Sequence, residues 1–259
     1  MKSSYDLARM LYGETSASRV WLMSHAERCA LLQVLRQAQP AGAIEVGTAD
    51  GGSLEQIRQY ARLTVSIDIL PEMKTRFAPM MPNVEFLTGD SKEMIGVALQ
   101  RCEKNSRPLG FVLIDGDHRY AGVQGDIHAL LRCQPTRPLW VLMHDSSNPE
   151  CRRGIAEARW AENPHVHMVD LDFVTGSLSQ DPTFEGMLWG GLALALMLPE
   201  VRTERLEIAA SASLNQAALY RVSEHYPSLA NRLRRWVRTK RKGLERRLYR
   251  ISPRQKAPG

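Results

Sequence analysis

The chain has 259 residues, with 34 Lys+Arg against 28 Asp+Glu and a formal net charge of +6. Hydrophobic residues make up 44% and charged residues 24%, which excludes a collagenous, disordered or disulfide-framework chain and fits a globular one with a large buried core. The positive sign is local: residues 232–259 hold twelve Lys/Arg and one acid, Glu245, whereas residues 1–231 hold 22 bases and 27 acids. An acidic body weighs against a catalytic domain that grips a polyanion over its own face.

The opening decapeptide MKSSYDLARM lacks the apolar stretch of a signal peptide, and no run approaches the roughly 20 residues of a spanning helix. A cytoplasmic protein is expected. Cys29, Cys102, Cys133 and Cys151 form no CxxC pair and read as reduced core residues.

An N-terminal helical segment occupies about residues 1–40. Ser24-x-x-Glu27 has the spacing of a capping box and opens an amphipathic helix through Leu31, Leu32, Val34 and Leu35. Pro40-Ala41-Gly42 ends it, and Ala43–Val46 follows as a short apolar strand. After the glycine-rich turn 47–52 come a helix over Ser53–Ala61 and strands over Leu63–Ile69 and Val84–Leu87. A helix over Ser91–Cys102, a strand over Leu109–Ile114, a helix over Ala121–Leu131 and a strand over Trp140–Met143 complete the alternation. Met187–Leu198 reads as one further buried strand. Strands alternating with helices of this length indicate βαβ units and a mostly parallel sheet with both faces covered.

Polar groups cluster after each strand: Glu45 and Gly47, Asp68, Asp90, Asp115 and Asp117, then His144 and Asp145. Open α/β sheets bind ligands at the carboxyl ends of their strands, so these residues are expected to share one rim. The turn Glu45-Val46-Gly47-Thr48-Ala49-Asp50-Gly51-Gly52-Ser53 leads into a helix whose free N–H groups suit an anion. Its pattern is E-x-G-x-x-x-G-G, without the Gly-x-Gly turn of a dinucleotide fingerprint. Asp68, at the next strand end, is placed to hold a ribose diol. Two carboxylates such as Asp115 and Asp145 on adjacent strand ends can hold Mg²⁺, a hard ion that prefers oxygen.

The segments EVGTADGGS (45–53), SID (66–68), TGDS (88–91), IDGDHRY (114–120), HDS (144–146) and LWGGLALAL (188–196) together resemble class I S-adenosylmethionine-dependent methyltransferases. The likeness spans roughly residues 20–200 and is nearest in flavour to the bacterial macrocin O-methyltransferase-like and cephalosporin-hydroxylase-like group. It implies a Rossmann-like seven-stranded sheet, mostly parallel, with helices on both faces and the last strand antiparallel. It also implies S-adenosylmethionine as cofactor. Glu45 and Gly47 would meet its methionine end, with Ser53 near its carboxylate, and Gly51 belongs to the same cofactor-binding set. Asp68 would bind its ribose, and Asp90 and Ser91 would flank its adenine. Asp117 joins this cofactor set.

Metal-dependent catechol-type O-methyltransferases, by the same resemblance, place a metal Asp at Asp115, a basic Lys at His118 and a second metal Asp at Asp145. This chain has His118 instead of that Lys and Ser146 at the third ligand position. Asp115 and His118 are then the catalytic pair, with His144 as a rival base, and the requirement for Mg²⁺ stays open. The expected reaction is O-methylation of a small molecule or sugar. A nucleic-acid methyltransferase and a non-catalytic interaction protein are the alternatives, and a homo-oligomer is compatible with either.

The body, 1–231, is followed by a basic amphipathic tail, 232–259. Leu233, Trp236, Val237, Leu244, Leu248 and Ile251 recur near helical spacing, Arg and Lys fill the other face, and Ser252–Gly259 reads as disordered. Such a helix over 232–251 suits an anionic membrane surface at the inner face of the membrane, RNA, or docking on its own domain or a neighbouring subunit.

Overall fold

The computed structural model describes residues 7–12 and 19–233. The tail beyond Leu233, with the helix and disordered end expected for it, lies outside the described residues. The chain divides into two compact units, residues 1–177 with 189–213, and residues 178–188 with 214–259.

The first unit is built on one large sheet. Its elements are α1 (Leu7–Tyr12), α2 (His25–Ala38), β1 (Gly42–Val46), α3 (Gly52–Tyr60), β2 (Leu63–Asp68), α4 (Glu72–Phe77), β3 (Val84–Thr88) and α5 (Ser91–Lys104). There follow β4 (Leu109–Ile114), α6 (Tyr120–Leu130), β5 (Leu139–His144), α7 (Pro149–Ala156) and β6 (Val166–Val174). Next along the chain come the small ladder of β7 (Ser177–Leu178) with β8 (Leu188–Trp189), then β9 (Leu192–Met197) and β10 (Ile208–Ala209) of the sheet; α8 (Ser213–Val222) belongs, from Leu214 on, to the second unit.

The sheet runs β10-β6-β9-β5-β4-β1-β2-β3. All neighbours are parallel except β9, which lies antiparallel between β5 and β6. The seven expected strands are therefore present, and the two-residue β10 adds an eighth at the edge. Strand order reverses at β1, whose neighbours are β2 and β4, and this switch point opens a crevice at the strands' carboxyl ends.

Alternation along the strands sorts the core. Ile44, Val46, Val112, Ile114, Val141 and Met143 face α5, α6 and α7, where they meet Ile95, Ile127 and Ile155. Ala43, Phe111, Leu113 and Leu142 face the other way, against Leu31, Leu35 and Ile57 of α2 and α3. Burial on both faces explains why β1, β4 and β5 read as continuous apolar runs.

Two expectations change. Met187–Leu198 is not one strand: Gly190 (φ 72°) and Gly191 (φ 85°) break it between β8 and β9. Only glycine takes two successive left-handed residues without strain, so the apolar run conceals a turn. Cys102 and Cys151 are buried, but Cys29 is exposed, so the four cysteines are not uniformly core residues. No helix among the described residues is long and apolar enough to cross a membrane.

In the second unit, the Glu224 N–H donates to the Gly186 carbonyl (2.7 Å). Asn231 Nδ2 donates to the Ser223 and Tyr226 carbonyls (2.9 and 3.1 Å).

Candidate active site

The loop from Asp115 to His118 leaves the end of β4 and presents its inner and outer pairs of residues to two different places. Gly116 and Asp117 line a cleft of about 340 Å³ whose walls also include Gly47, Asp68, Asp90 and Ser91. Asp115 and His118 turn toward His144 and Asp145 at the end of β5.

In the cleft, Gly47 (φ 89°) is held by its N–H on the Ile67 carbonyl (2.9 Å). A Cβ there would stand 2.1 Å from the Asp115 carbonyl oxygen, so β1 and β4 approach at this point only through glycine. Asp68 accepts the Thr48 N–H on Oδ2 and the Leu70 N–H on Oδ1, both at 2.9 Å, which locks its carboxylate at the wall. Asp90 caps α5 by accepting the Lys92 N–H (3.0 Å), and Ser91 Oγ donates to Asp126 (2.5 Å). Asp117 is gripped by Arg119, whose Nη2 lies 2.6 Å from Oδ2. That hydrogen bond, first among several causes, holds the Asp117 carboxyl below its ordinary range.

Glu45 and Ser53 lie behind the cleft. Glu45 is fully buried and accepts from Ser53 Oγ (2.6 Å) and Ser66 Oγ (3.2 Å). Burial outweighs these hydroxyls, and with the nearby charges of Asp115 and Asp68 it pushes the carboxyl up to about 8. Gly51 (φ 74°) starts α3 over the Phe77 ring, which a Cβ would approach to 3.1 Å.

On the other side of the loop, His144 is surrounded by acids. Its Nδ1 lies 3.0 Å from Asp115 Oδ1 and 3.5 Å from Asp145 Oδ2, and its Nε2 lies 3.3 Å from Glu27 Oε1. His118 Nε2 lies 3.1 Å from Asp145 Oδ2 and 3.4 Å from Asp115 Oδ1, with its ring edge-on to Trp189 at 5.5 Å. Asp145 has a left-handed backbone (φ 56°), a conformation Asp tolerates better than most residues. Its Oδ1 accepts the Gly190 N–H (2.7 Å).

Burial opposes charge throughout this group, yet pairing prevails. Against the opposing effect of burial, Asp115 is brought down to about 2 by His144 and His118, and Glu27 to about 2 by His144 and its hydrogen bonds with Ser24. His118 is raised, chiefly by its hydrogen bond to Asp115, and His144 well above its ordinary value by Asp115 and Asp145. Their accessibility differs: the His118 side chain is 44% exposed and that of His144 only 7%.

Among the His, Cys, Asp and Glu side chains of the described residues, Asp115, His144 and Asp145 can together hold a metal ion, their ligand atoms lying within 4.8 Å of one another. Ser146 donates its N–H to the Gly191 carbonyl (3.3 Å), and its hydroxyl is buried. The residue sequence reasoning missed is Glu27. Its place in a capping box was legible, but nothing local signals that its carboxylate also reaches His144.

No family model matches the sequence, and no curated protein matches it. Solved structures do. Cofactor-bound Rv0187 from MTB is 16% identical with a TM-score of 0.50, over 75% of this chain and 94% of that one. The O-methyltransferase from Bacillus cereus in complex with SAH is 13% identical with a TM-score of 0.49, over 68% of this chain and 82% of that one. TomG, the Streptomyces achromogenes O-methyltransferase of tomaymycin synthesis, is 14% identical with a TM-score of 0.49, over 68% and 81%. At these identities the likeness is one of architecture: the chain has a Rossmann-like fold, shared with cofactor-bound Rv0187 from MTB.

Proposed function

We propose that the chain is an S-adenosylmethionine-dependent methyltransferase acting on a hydroxyl of a small molecule or sugar. The observation that carries this reading is the Asp115–His118 loop, which joins an acid-walled cleft to a carboxylate-flanked histidine within four residues. The cleft fits the cofactor by its donor set. In this reading Asp68 on the cleft wall would hold a ribose diol, Asp90 and Ser91 would flank the adenine, and Glu45, buried behind the cleft, would face the ammonium of the methionine end beside Gly47. When bound, S-adenosylmethionine supplies an electrophilic methyl group.

His118 is the general base in this reading. Its Nδ1, the ring nitrogen not set against the aspartates, can take the acceptor's hydroxyl proton, while Asp115 and Asp145, both facing Nε2, stabilise the imidazolium that results. His144 is the poorer candidate, because it is buried and acids flank both of its nitrogens. Trp189 beside His118 offers a flat apolar wall to an acceptor ring.

Asp115 and Asp145 also fit a divalent cation, since they converge with His144 in a group where acids outnumber imidazoles. Such an ion lowers the pKa of a bound hydroxyl. Activity is therefore expected to fall with EDTA and return with a divalent metal, and EDTA-resistant turnover by metal-stripped protein contradicts this part.

The direct test incubates full-length protein with methyl-labelled S-adenosylmethionine and hydroxylated acceptors, including sugars. Label recovered as a methyl ether supports the reading; label on amines alone, or on RNA alone, contradicts it.

A further inference from the structure

Glu27 does more than a helix cap requires. In a capping box, one carboxylate oxygen reaches back to the N-cap N–H, and Oε2 does this on Ser24 (2.5 Å). That role works on an open surface, yet Glu27 is only 3% exposed. Burying a carboxylate is costly unless it is paired, so its other oxygen needs an explanation. Oε1 accepts the Gly191 N–H (2.5 Å) and lies 3.3 Å from His144 Nε2.

These two contacts reach two of the three residues that can hold a metal. The first is His144 itself. The second is Asp145, because Gly191 follows Gly190, whose N–H is bound to Asp145 Oδ1 (2.7 Å). The turn leaves no slack: a Cβ on Gly190 would stand 2.9 Å from Glu27 Oε1. Meanwhile His144 Nδ1 points at Asp115 and Asp145, so the nitrogen nearest Glu27 is the one turned away from the other acids.

We propose that Glu27 is the positioning residue of a divalent transition-metal site formed by Asp115, His144 Nδ1 and Asp145. Lying 3.3 Å from Nε2, Glu27 Oε1 favours the tautomer that keeps its proton on Nε2, directed at the carboxylate, and leaves the lone pair on Nδ1, facing the two aspartates. Through the Gly190–Gly191 turn it also sets the Asp145 carboxylate. Metal-bound histidines commonly donate their second N–H to a carboxylate in this way. The imidazole shifts metal preference as well. Mg²⁺ favours an all-oxygen shell, whereas one imidazole with two carboxylates suits Mn²⁺, Fe²⁺, Co²⁺ or Zn²⁺.

This inference rests on the metal-assisted reading above, and the experiment separates the two. Full-length protein stripped by chelation is titrated with Mn²⁺, with free Mn²⁺ followed by electron paramagnetic resonance. Wild type is expected to bind one Mn²⁺ that Mg²⁺ displaces only in large excess. Glu27→Gln, which retains a capping-box residue, is expected to bind roughly 10- to 100-fold more weakly. Ser24→Ala, which weakens the cap and leaves Glu27 in place, is expected to lower Tm without changing Mn²⁺ affinity.

Failure of wild type to bind Mn²⁺ overturns the metal reading itself. Equal binding by wild type and Glu27→Gln, or equal weakening by Ser24→Ala, overturns the role of Glu27 alone. Should Glu27→Gln not fold, ¹⁵N spectra of histidine-labelled wild type with Zn²⁺ decide the matter. A protonated Nε2 and a metal-shifted Nδ1 on His144 support the proposal, and the reverse pattern refutes it.

Discussion

On one side of the Asp115–His118 loop, the cleft draws its polar groups from the ends of neighbouring parallel strands and the turns that follow them. On the other, the imidazole–carboxylate group ties α2, the end of β5 and the Gly190–Gly191 turn together across long stretches of chain. The cleft is an opening whose side chains are held by backbone N–H groups, as Asp68 is by Thr48 and Leu70. The second group is charge-rich and, His118 apart, mostly buried, and its members hold one another. A site that admits a large cofactor must leave its walls fixed but uncommitted. A site that handles a proton can commit one imidazole nitrogen to acids and leave the other open, the arrangement proposed for His118.

The sharpest way to break this comparison is to remove His118. His118→Ala is expected to lower turnover by about 10²–10⁴-fold while leaving S-adenosylhomocysteine affinity unchanged. Unchanged turnover removes His118 from the chemistry, and a parallel loss of affinity erases the distinction between the two sides.

Next in size is Gly47→Ala. It forces a Cβ to within 2.1 Å of the Asp115 carbonyl and imposes a left-handed conformation on alanine. A stability loss of at least about 2 kcal/mol is expected, with loss of cofactor binding, measured by thermal melts and calorimetry.

Glu45 adds a pH signature peculiar to the cleft. Its carboxyl is raised to about 8 in the folded protein, so the fold binds a proton that the unfolded chain releases near 4.5. Stability from this group therefore declines as pH rises from about 4.5 to about 8. Glu45→Gln should match wild type in Tm at pH 4.5 and exceed it at pH 8. If Glu45 pairs with the cofactor ammonium, binding at pH 7 also releases a proton, read as a heat that depends on buffer ionisation. A Tm difference independent of pH contradicts this account of Glu45.

Least affected should be the protein cut after residue 231, which removes eleven net positive charges. S-adenosylhomocysteine affinity is expected to hold, while co-sedimentation with anionic vesicles, if full-length protein shows it, is lost. Neither form pelleting rules out the membrane role of 232–251.

The same contrast governs what the sequence discloses. Asp68, Asp90, Asp115 and Asp145 stood out because a carboxylate directly after an apolar run marks the buried strand's carboxyl end, and topology then gathers such ends. Glu27 did not stand out, since Ser24-x-x-Glu27 is fully accounted for by the start of a helix. Its second partner, Gly191, is 164 residues away. The Gly190–Gly191 turn was hidden in an apolar run whose composition favours a strand. β6 escaped notice because His167, Asp170 and Asp172 interrupt its apolar pattern; buried Asp172 pairs with Arg152 at 2.6 Å, another contact between distant segments.

The central claim is that the cleft beneath the β1 and β2 ends is built for S-adenosylmethionine. Isothermal calorimetry of full-length protein with S-adenosylhomocysteine, alongside Asp68→Ala, tests it most directly. Saturable one-to-one binding that weakens by roughly 10- to 100-fold in Asp68→Ala is the expected result, given the worth of hydrogen bonds to a charged group. Absence of binding by the wild-type chain contradicts the account.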